Sequence, residues 1–504
     1  MGKKALFFYT ILFLLIFTLC AGANYYDFDL WARLIAGMGP IEAGHVLKED
    51  FLSYTPVHTW WDHEWGSGVI FYLLLKYFGA YSLVLFNAFL VFLIFIIITK
   101  IIKLRTNVCP YNFTFYFFAV MAVISNFNSP IRCHMFSFLL FTVFIYILEL
   151  ARKGKNKPLF LIPFIVIFWN NIHGGVVSGL GLILMYLTGE FLNKNPIKKY
   201  IITLLTSMAA LFINPWGFDY IKFLFMANTM QRPDVMEWWG PFSKYYALKQ
   251  IPFKIYLVFT ACVEVIKNLD NIKAQKFKLW WQNADKVKGI VLLATFYLAL
   301  AHVKLIPFYI IAAMCFVYED FYKLIEKMDF PKWKDKVIYG IIIFLALFTV
   351  AAKDIVPPVN LEIYPVKEIE FIKINNIKGN LLINFGLGSY ASYKLYPHNK
   401  IFMDGRYEEV YYDDMVPMLK KFFLVNREDW NEAIIKYPPD VMVLEKYYPI
   451  YELMKTSQAW SLVYEGQTFG VFVPQKIKKE HYKMPSNDIE HYKNTLFDTD
   501  IKLK

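Results

Sequence analysis

The chain has 504 residues, of which 57% are hydrophobic, 19% aromatic and only 19% charged, with a net charge of +12 and a mean hydropathy of +0.38. Soluble globular domains carry about 25% charged and 45–50% apolar residues, so an ordinary soluble fold is excluded. The Lys and Arg residues sit mainly in short loops between apolar blocks, which argues for membrane topology and against a nucleic-acid partner.

The first apolar block, Ala5–Cys20, follows Lys3 and Lys4 and precedes Ala21-Gly22-Ala23. It reads as a retained first helix, with a cleaved signal peptide as the alternative. About eleven membrane spans are expected, near 5–22, 81–100, 112–126, 134–150, 158–170, 174–190, 199–214, 251–267, 288–302, 305–318 and 337–352. Each is a mostly apolar run suited to a helix in a bilayer. Val69–Phe78 reads as an interfacial or re-entrant helix. The five cysteines, Cys20, Cys109, Cys133, Cys262 and Cys315, show no metal-type spacing and read as small apolar residues.

Loop charge alternates. One set of loops carries Lys100, Lys103 and Arg105, then Arg152, Lys153, Lys155 and Lys157, then Lys194, Lys198 and Lys199. The first large loop of the other set, 24–68, is acidic, with Asp27, Asp29, Glu42, Glu49, Asp50, Asp62 and Glu64. The positive-inside rule puts the N-terminus in the cytoplasm. An odd span count then puts the C-terminal region outside the cytoplasmic (inner) membrane. After about Asp354, short apolar runs alternate with helical stretches. Strands are expected at Leu381–Phe385, Lys400–Met403, Val441–Leu444, Ser461–Tyr464 and Gly470–Val473, and helices at Val366–Ile374, Asp413–Leu424 and Trp430–Tyr437. The expected organisation is a transmembrane domain, 1–352, with its outer loop 24–68; a small extracytoplasmic α/β domain, 353–475; and a polar, poorly ordered tail, 476–504.

Several outer-side residues carry chemistry. Asp27 and Asp29, two residues apart, can share a divalent metal (Mg or Mn) or supply a base; they can equally be solvated carboxylates capping the next helix. Trp60-Trp61-Asp62-His63-Glu64-Trp65 places acids and an imidazole among aromatic rings, as a sugar site or as an interfacial aromatic belt. Arg132, His134, Asn170, Asn171, His173, Asn214, His302 and Lys304 fall near outer helix ends, where polar groups are costly and often functional. A single His there also serves in helix packing. Together these groups can line one cavity. In the C-terminal domain, Asp404 and Arg406 either contact an acceptor or form a pair that fixes a turn or docks onto the outer loops, and the domain reads as accessory. Glu408 and Glu409 read as solvated.

Asp27-x-Asp29-x-Trp31 with Arg33-Leu34-x-x-Gly37, Asp50-x-x-Ser53-Tyr54-Thr55 and Trp61-x-His63-Glu64-Trp65 resemble the first outer loop of bacterial GT-C-type membrane proteins. These are relatives of protein mannosyltransferases, aminoarabinose transferases and oligosaccharyltransferases. Arg132-x-His134-x-Phe136-Ser137, Trp169-Asn170-Asn171-x-His173-Gly174-Gly175, Asn214-Pro215-x-Gly217, Asn384-Phe385-x-x-Gly388-x-Tyr390 and Phe402-x-Asp404-Gly405-Arg406 are similar to further signatures of one branch. The resemblance covers roughly 20–475. It implies transfer of a sugar or similar group from a polyprenyl-phosphate donor at the outer membrane face. It also implies an acceptor-activating or metal-binding role for Asp27 or Asp29, and contact of Arg132 and Lys304 with the lipid phosphate. His63, Glu64, His134 and His173 would line the substrate site. A polar-lipid transporter, or a non-catalytic assembly protein in contact with membrane lipids, is the competing reading; no internal repeat of the transporter kind is visible.

Overall fold

A computed structural model describes residues 2–22, 25–127, 131–233, 235–273, 281–327, 333–352 and 359–503. Ala23, Asn24 and Asp354, on which the cleavage-site, loop-start and domain-start readings fall, lie outside the described residues. The chain forms two compact units. One comprises Met1–Ala23 with Ala80–Val356, the other Asn24–Gly79 with Pro357–Lys504.

The first unit is helical. Every one of the apolar segments expected from the sequence is a helix: Lys3–Ala21, Ala80–Arg105, Phe113–Phe127, His134–Arg152, Ile162–Ile172, Val176–Leu192, Lys198–Ala210, Ile251–Lys273, Lys286–Ala301, Ile306–Lys327 and Trp333–Ala352. Among the described residues, four stretches, Lys3–Ala21, Ala80–Arg105, His134–Arg152 and Val303–Lys327, are long and apolar enough to cross a membrane. Others are shorter; at 1.5 Å per residue, Ile162–Ile172 spans only about 17 Å. Large apolar side chains such as Phe225, Leu293, Tyr297 and Phe344 face outward, as a helical surface in contact with lipid tails requires. The helix Phe218–Thr229 was not expected; its polar Asp219 and Lys222 interrupt the apolar run. At one end of the unit a charge network joins helix ends. Glu149 accepts from Arg105 (2.6 Å) and Tyr186 (2.8 Å), and Arg152 bonds Glu190 (2.6 Å) and Asp285 (2.9 Å). Arg105 and Arg152 are both residues that loop charge assigns to the cytoplasmic side.

The second unit interleaves two distant stretches of chain. Its sheet comprises β1 (Gly379–Ile383), β2 (Asn399–Ile401), β3 (Val441–Glu445), β4 (Trp460–Glu465) and β5 (Phe469–Pro474), in the order β2-β1-β3-β5-β4. β1 runs parallel to β2 and β3, while β5 is antiparallel to β3 and β4. β1 and β3 are apolar and largely buried, as strands covered on both faces should be. The edge strand β2 would expose unpaired backbone groups. The first loop covers it: Ser53 bridges Ile401 in parallel, with Tyr54 N–H donating to the Ile401 carbonyl (3.0 Å) and Ile401 N–H to Leu52 (2.9 Å). The stitching continues with His58 on Val410 and Trp61 on Glu409, both at 3.0 Å.

Two helices of the loop, Asp29–Met38 and Trp65–Phe78, pack backbone to backbone where Gly37 meets Gly68; a Cβ on either would collide with the opposing main chain. Trp31 lies buried among Tyr364, Tyr390, Tyr393 and Phe497, and donates to the Tyr364 hydroxyl at 3.1 Å. The tail departs from expectation. It forms the helix Ile489–Thr495 and buries Tyr492, Leu496 and Ile501. Tyr492 donates to Glu370 (2.6 Å), and Lys394 to the carbonyls of Thr495 and Asp498 (both 2.7 Å). Its apolar residues are too few to register as a core in sequence, yet these three fill sites on the domain.

Candidate functional site

The chemistry-bearing residues form two clusters, one in each unit. In the second unit, Asp27 and Asp29 stand at the head of the helix Asp29–Met38. Asp27 Oδ1 accepts the Asp29 backbone N–H at 3.1 Å, a turn that satisfies one of the donors left open at a helix start. Asp29 is half-buried. It faces Gly405, where a Cβ would come within 3.0 Å of its Oδ1. One helical turn on, and hence on the same face, lies Arg33.

Arg33 is buried and is the centre of an ion cluster. Its guanidinium pairs with Asp62, with Glu409 at 2.8 Å and with Glu64 at 3.5 Å. His63 completes the group, with Nδ1 3.1 Å from Glu409 Oε1 and Nε2 3.5 Å from Glu64 Oε1. Burial alone lowers the His63 imidazole, but the Glu409 charge and hydrogen bond, then Glu64, raise it to about 9. Burial pushes Asp62 up to about 6 despite Arg33. Burial likewise works against the Glu409 carboxylate, yet Arg33 and His63 outweigh it and hold the group below its ordinary range. His63, Glu64 and Glu409 each present a ligating atom, all within 4.8 Å of one another. Among the described residues this is the group suited to an ion.

Behind this cluster sits a second arginine. Arg406 is fully buried, bonded to Asp404 at 2.9 Å and to Asp50 at 2.5 Å, and stacked 4.7 Å over the Trp60 ring. Trp60 in turn donates to Glu409 Oε2 at 3.1 Å, so one indole links the two arginine centres. Of the two roles open to Asp404 and Arg406, the pair fixing a turn and docking onto the first loop is the one these contacts describe. Glu409, read as solvated, is 5% exposed; its place beside the stitched backbone of Trp61 turns it inward to Arg33.

In the first unit, Arg132 and His134 lie at the start of the helix His134–Arg152, and Lys304 lies in the turn Val303–Leu305. All three approach Glu237 in the loop after Phe218–Thr229. Arg132 pairs with its carboxylate. Burial raises the Glu237 carboxyl, but Arg132, followed by His134 and Lys304, lowers it by more. The neighbouring Trp238 ring is flanked by cations, with Lys304 Nζ 3.5 Å and the Arg232 guanidinium 4.6 Å from its centroid. Its carbonyl lies 2.6 Å from His302 Nδ1.

His173 is engaged differently. Its Nδ1 accepts the Gly175 backbone N–H at 3.0 Å and lies 2.7 Å from the Ser137 hydroxyl, to which Trp169 donates. Because Nδ1 is an acceptor, the ring proton of the neutral imidazole sits on Nε2. Asn170 and Asn171 bond the carbonyls of Leu211 and Ile213, and Asn214 Oδ1 accepts from Trp216 and Gly217. Gly217 has φ +57°, which favours glycine. These signature residues therefore secure a helix break.

Neither a family model nor a curated protein sequence matches the chain. Solved structures do. The oligosaccharyltransferase of Archaeoglobus fulgidus in its apo form matches with a TM-score of 0.53 and 8% identity, over 87% of this chain and 69% of that one. The archaeal oligosaccharyltransferase AglB from the same organism, in complex with an inhibitory peptide and a dolichol-phosphate, matches with a TM-score of 0.50 and 9% identity, over 98% of this chain and 76% of that one. The chain has the GT-C-type fold. At such low identity the GT-C likeness carries the fold and leaves the chemistry to the residues themselves.

The residues singled out in the sequence were Asp27, Asp29, His63, Glu64, Arg132, His134, His173 and Lys304. The structure gathers His63 and Glu64 into one cluster and Arg132, His134 and Lys304 into another. Sequence reasoning passed over Glu237 and Trp238, although an acid beside a Trp-Trp pair in a loop between apolar helices was a usable signal. It also undervalued Arg33, whose spacing from Asp29 placed both on one helix face. Glu409 offered no cue, since a second carboxylate in a polar turn looks solvated.

Proposed function

We propose that this GT-C protein transfers a sugar, or a similar group, from a polyprenyl-phosphate-linked donor to an acceptor at the outer face of the cell membrane. The convergence of Arg132, Lys304 and His134 on Glu237 and Trp238 supports this most directly. With Arg232 the group carries more positive than negative charge, which suits a lipid-linked phosphate. Arg132 and Lys304 hold that phosphate; His134 and His173 line the same region.

Asp29 acts as the base. It takes the proton of the acceptor group as that group attacks the anomeric carbon. The bond from that carbon to the phosphate oxygen breaks, and its electron pair leaves on the lipid phosphate. Asp27, whose Oδ1 serves the helix turn, supports Asp29. The two carboxylates also suit Mg or Mn of the kind held by one or two acids, with waters and substrate phosphate as the other ligands. Such an ion would neutralise phosphate charge. His63 and Glu64 keep 18% and 15% of their side-chain surface open, enough for a substrate group to reach them.

Purified protein offered a panel of radiolabelled polyprenyl-phosphate sugars should transfer label from at least one. Arg132→Gln should weaken donor binding by about 10–100-fold, the worth of a lost charge-assisted bond, and leave acceptor binding alone. Unchanged donor affinity would remove Arg132 from the phosphate site, and no transfer across the panel would sink the reading.

The proposal includes a topology of about eleven spans, with the N-terminus cytoplasmic and the C-terminal domain outside. Reporter fusions at Lys155 and Gln475 should then report opposite compartments. If both report the same side, the outer placement of the acidic loop is lost.

A further inference from the structure

We propose that His63, Glu64 and Glu409 form a divalent-metal site built from one imidazole nitrogen and two carboxylate oxygens. It is additional to any all-oxygen site at Asp27 and Asp29.

The spacing is that of donors around one ion. Ligands about 2.0–2.2 Å from a common centre stand roughly 3–4.4 Å apart, and the three atoms here lie within 4.8 Å. A contraction of a few tenths of an ångström closes the set.

The two carboxylates divide their oxygens in the same sense. Glu409 Oε2 receives Arg33 at 2.8 Å and the Trp60 N–H at 3.1 Å, and Glu64 Oε2 lies 3.5 Å from Arg33 Nε. The Oε1 atom of each is turned to the imidazole instead, that of Glu409 to Nδ1 at 3.1 Å and that of Glu64 to Nε2 at 3.5 Å, so one carboxylate must turn toward the nitrogen that binds the ion. Donors behind a carboxylate that fix its front oxygen are the usual support of a metal ligand. Arg33 is itself held by Asp62, whose Oδ1 also takes the Glu64 N–H at 2.9 Å, so Asp62 serves as a brace and not as a ligand.

Charge points the same way. A bound metal takes the place of the proton that Glu409 and Glu64 favour on His63; with the imidazole then neutral, Arg33, Asp62, Glu64 and Glu409 leave two net negative charges, and one divalent cation brings the cluster to zero. Arg33 and Glu409 are 3% and 5% exposed, so little water is present to screen an imbalance. A nitrogen ligand beside two oxygens favours Mn, Fe, Co or Zn over Mg and Ca, which prefer oxygen alone.

The test uses full-length protein in detergent, stripped with chelator, in an Asp27→Asn, Asp29→Asn background that removes the all-oxygen candidate. Mn²⁺ is titrated and followed by electron paramagnetic resonance, with no donor or acceptor present. The result is therefore independent of whether the protein transfers sugar. A single bound equivalent per chain should show coupling to nitrogen-14 in the pulsed spectrum. His63→Gln should abolish that coupling and weaken binding by roughly 10–100-fold or more. Three outcomes overturn the site: no bound Mn²⁺, bound Mn²⁺ without nitrogen coupling, or coupling that survives in His63→Gln. If the His63→Gln protein does not fold, a Glu64→Gln variant replaces it, with the same weakening expected and unchanged binding counting against the site.

Discussion

Asp29→Asn is expected to lower turnover by about 10²–10⁴-fold, the usual worth of a general base, while leaving the fold intact. The substitution keeps size and hydrogen-bonding shape. The turn at the helix start depends on Asp27 Oδ1 and the Asp29 backbone N–H, not on the Asp29 side chain. Gly405 leaves room for an amide as it does for a carboxylate. Asp27→Asn should cost less, because an amide oxygen still accepts the same N–H and the residue's structural part is preserved. Steady-state kinetics on the transferase reaction, with size-exclusion profiles as the fold control, decide the matter. Full activity in the double variant would remove the acid pair from catalysis.

Arg406→Met should destabilise the second unit by about 3–5 kcal/mol, since it strands the Asp404 and Asp50 carboxylates in an interior where all three side chains are fully buried. The loss should appear as a lower melting temperature and as faster proteolysis at the first loop, which Arg406 ties to the domain through Asp50 and the Trp60 ring. The effect depends on pH with a definite sign. Burial alone would raise Asp50, but Arg406 and hydrogen bonds from Ser53 and the Leu52 backbone hold it below the ordinary carboxylate range. A depressed carboxylate contributes stability above its unfolded value, near pH 4, and loses it as pH falls through the folded value. The gap between wild type and Arg406→Met should therefore narrow in acid. A melting temperature unchanged at neutral pH would mean that the pair is dispensable.

Local signals were legible in the sequence wherever a period was strong. Apolar runs mark helices of the first unit, and every expected strand appears within two residues of its place. Val366–Ile374 coincides with the observed helix. Long-range pairing was less legible. Nothing in the acidic loop announces that Leu52–Tyr54 lies along β2, because strand partners as distant in the chain as Ser53 and Ile401 leave no mark in local composition. Burial of charge was hidden for the same reason. Arg33, Asp62 and Glu409 look like surface residues until the fold brings them together, and the tail residues Tyr492 and Leu496 look solvated until they meet the domain. Of the residues in the two clusters, His63, Glu64, Arg132, His134 and Lys304 were singled out in the sequence, whereas Glu409, Glu237 and Trp238 drew their meaning from neighbours distant in the chain.

The stitching of the first loop onto β2 also sets an order of events during synthesis. Ile401, Arg406 and Glu409 leave the ribosome roughly 350–375 residues after Ser53, Asp50 and Arg33, a delay of roughly 17–75 s at ordinary elongation rates. Throughout that interval the loop holds Arg33, Asp62 and Glu64 without their third carboxylate partner, and a strand-like segment without its neighbour. A nascent chain therefore carries an unfinished loop until its last quarter is made. A ribosome that stops early yields a product whose acid pair is present in sequence but unsupported in space.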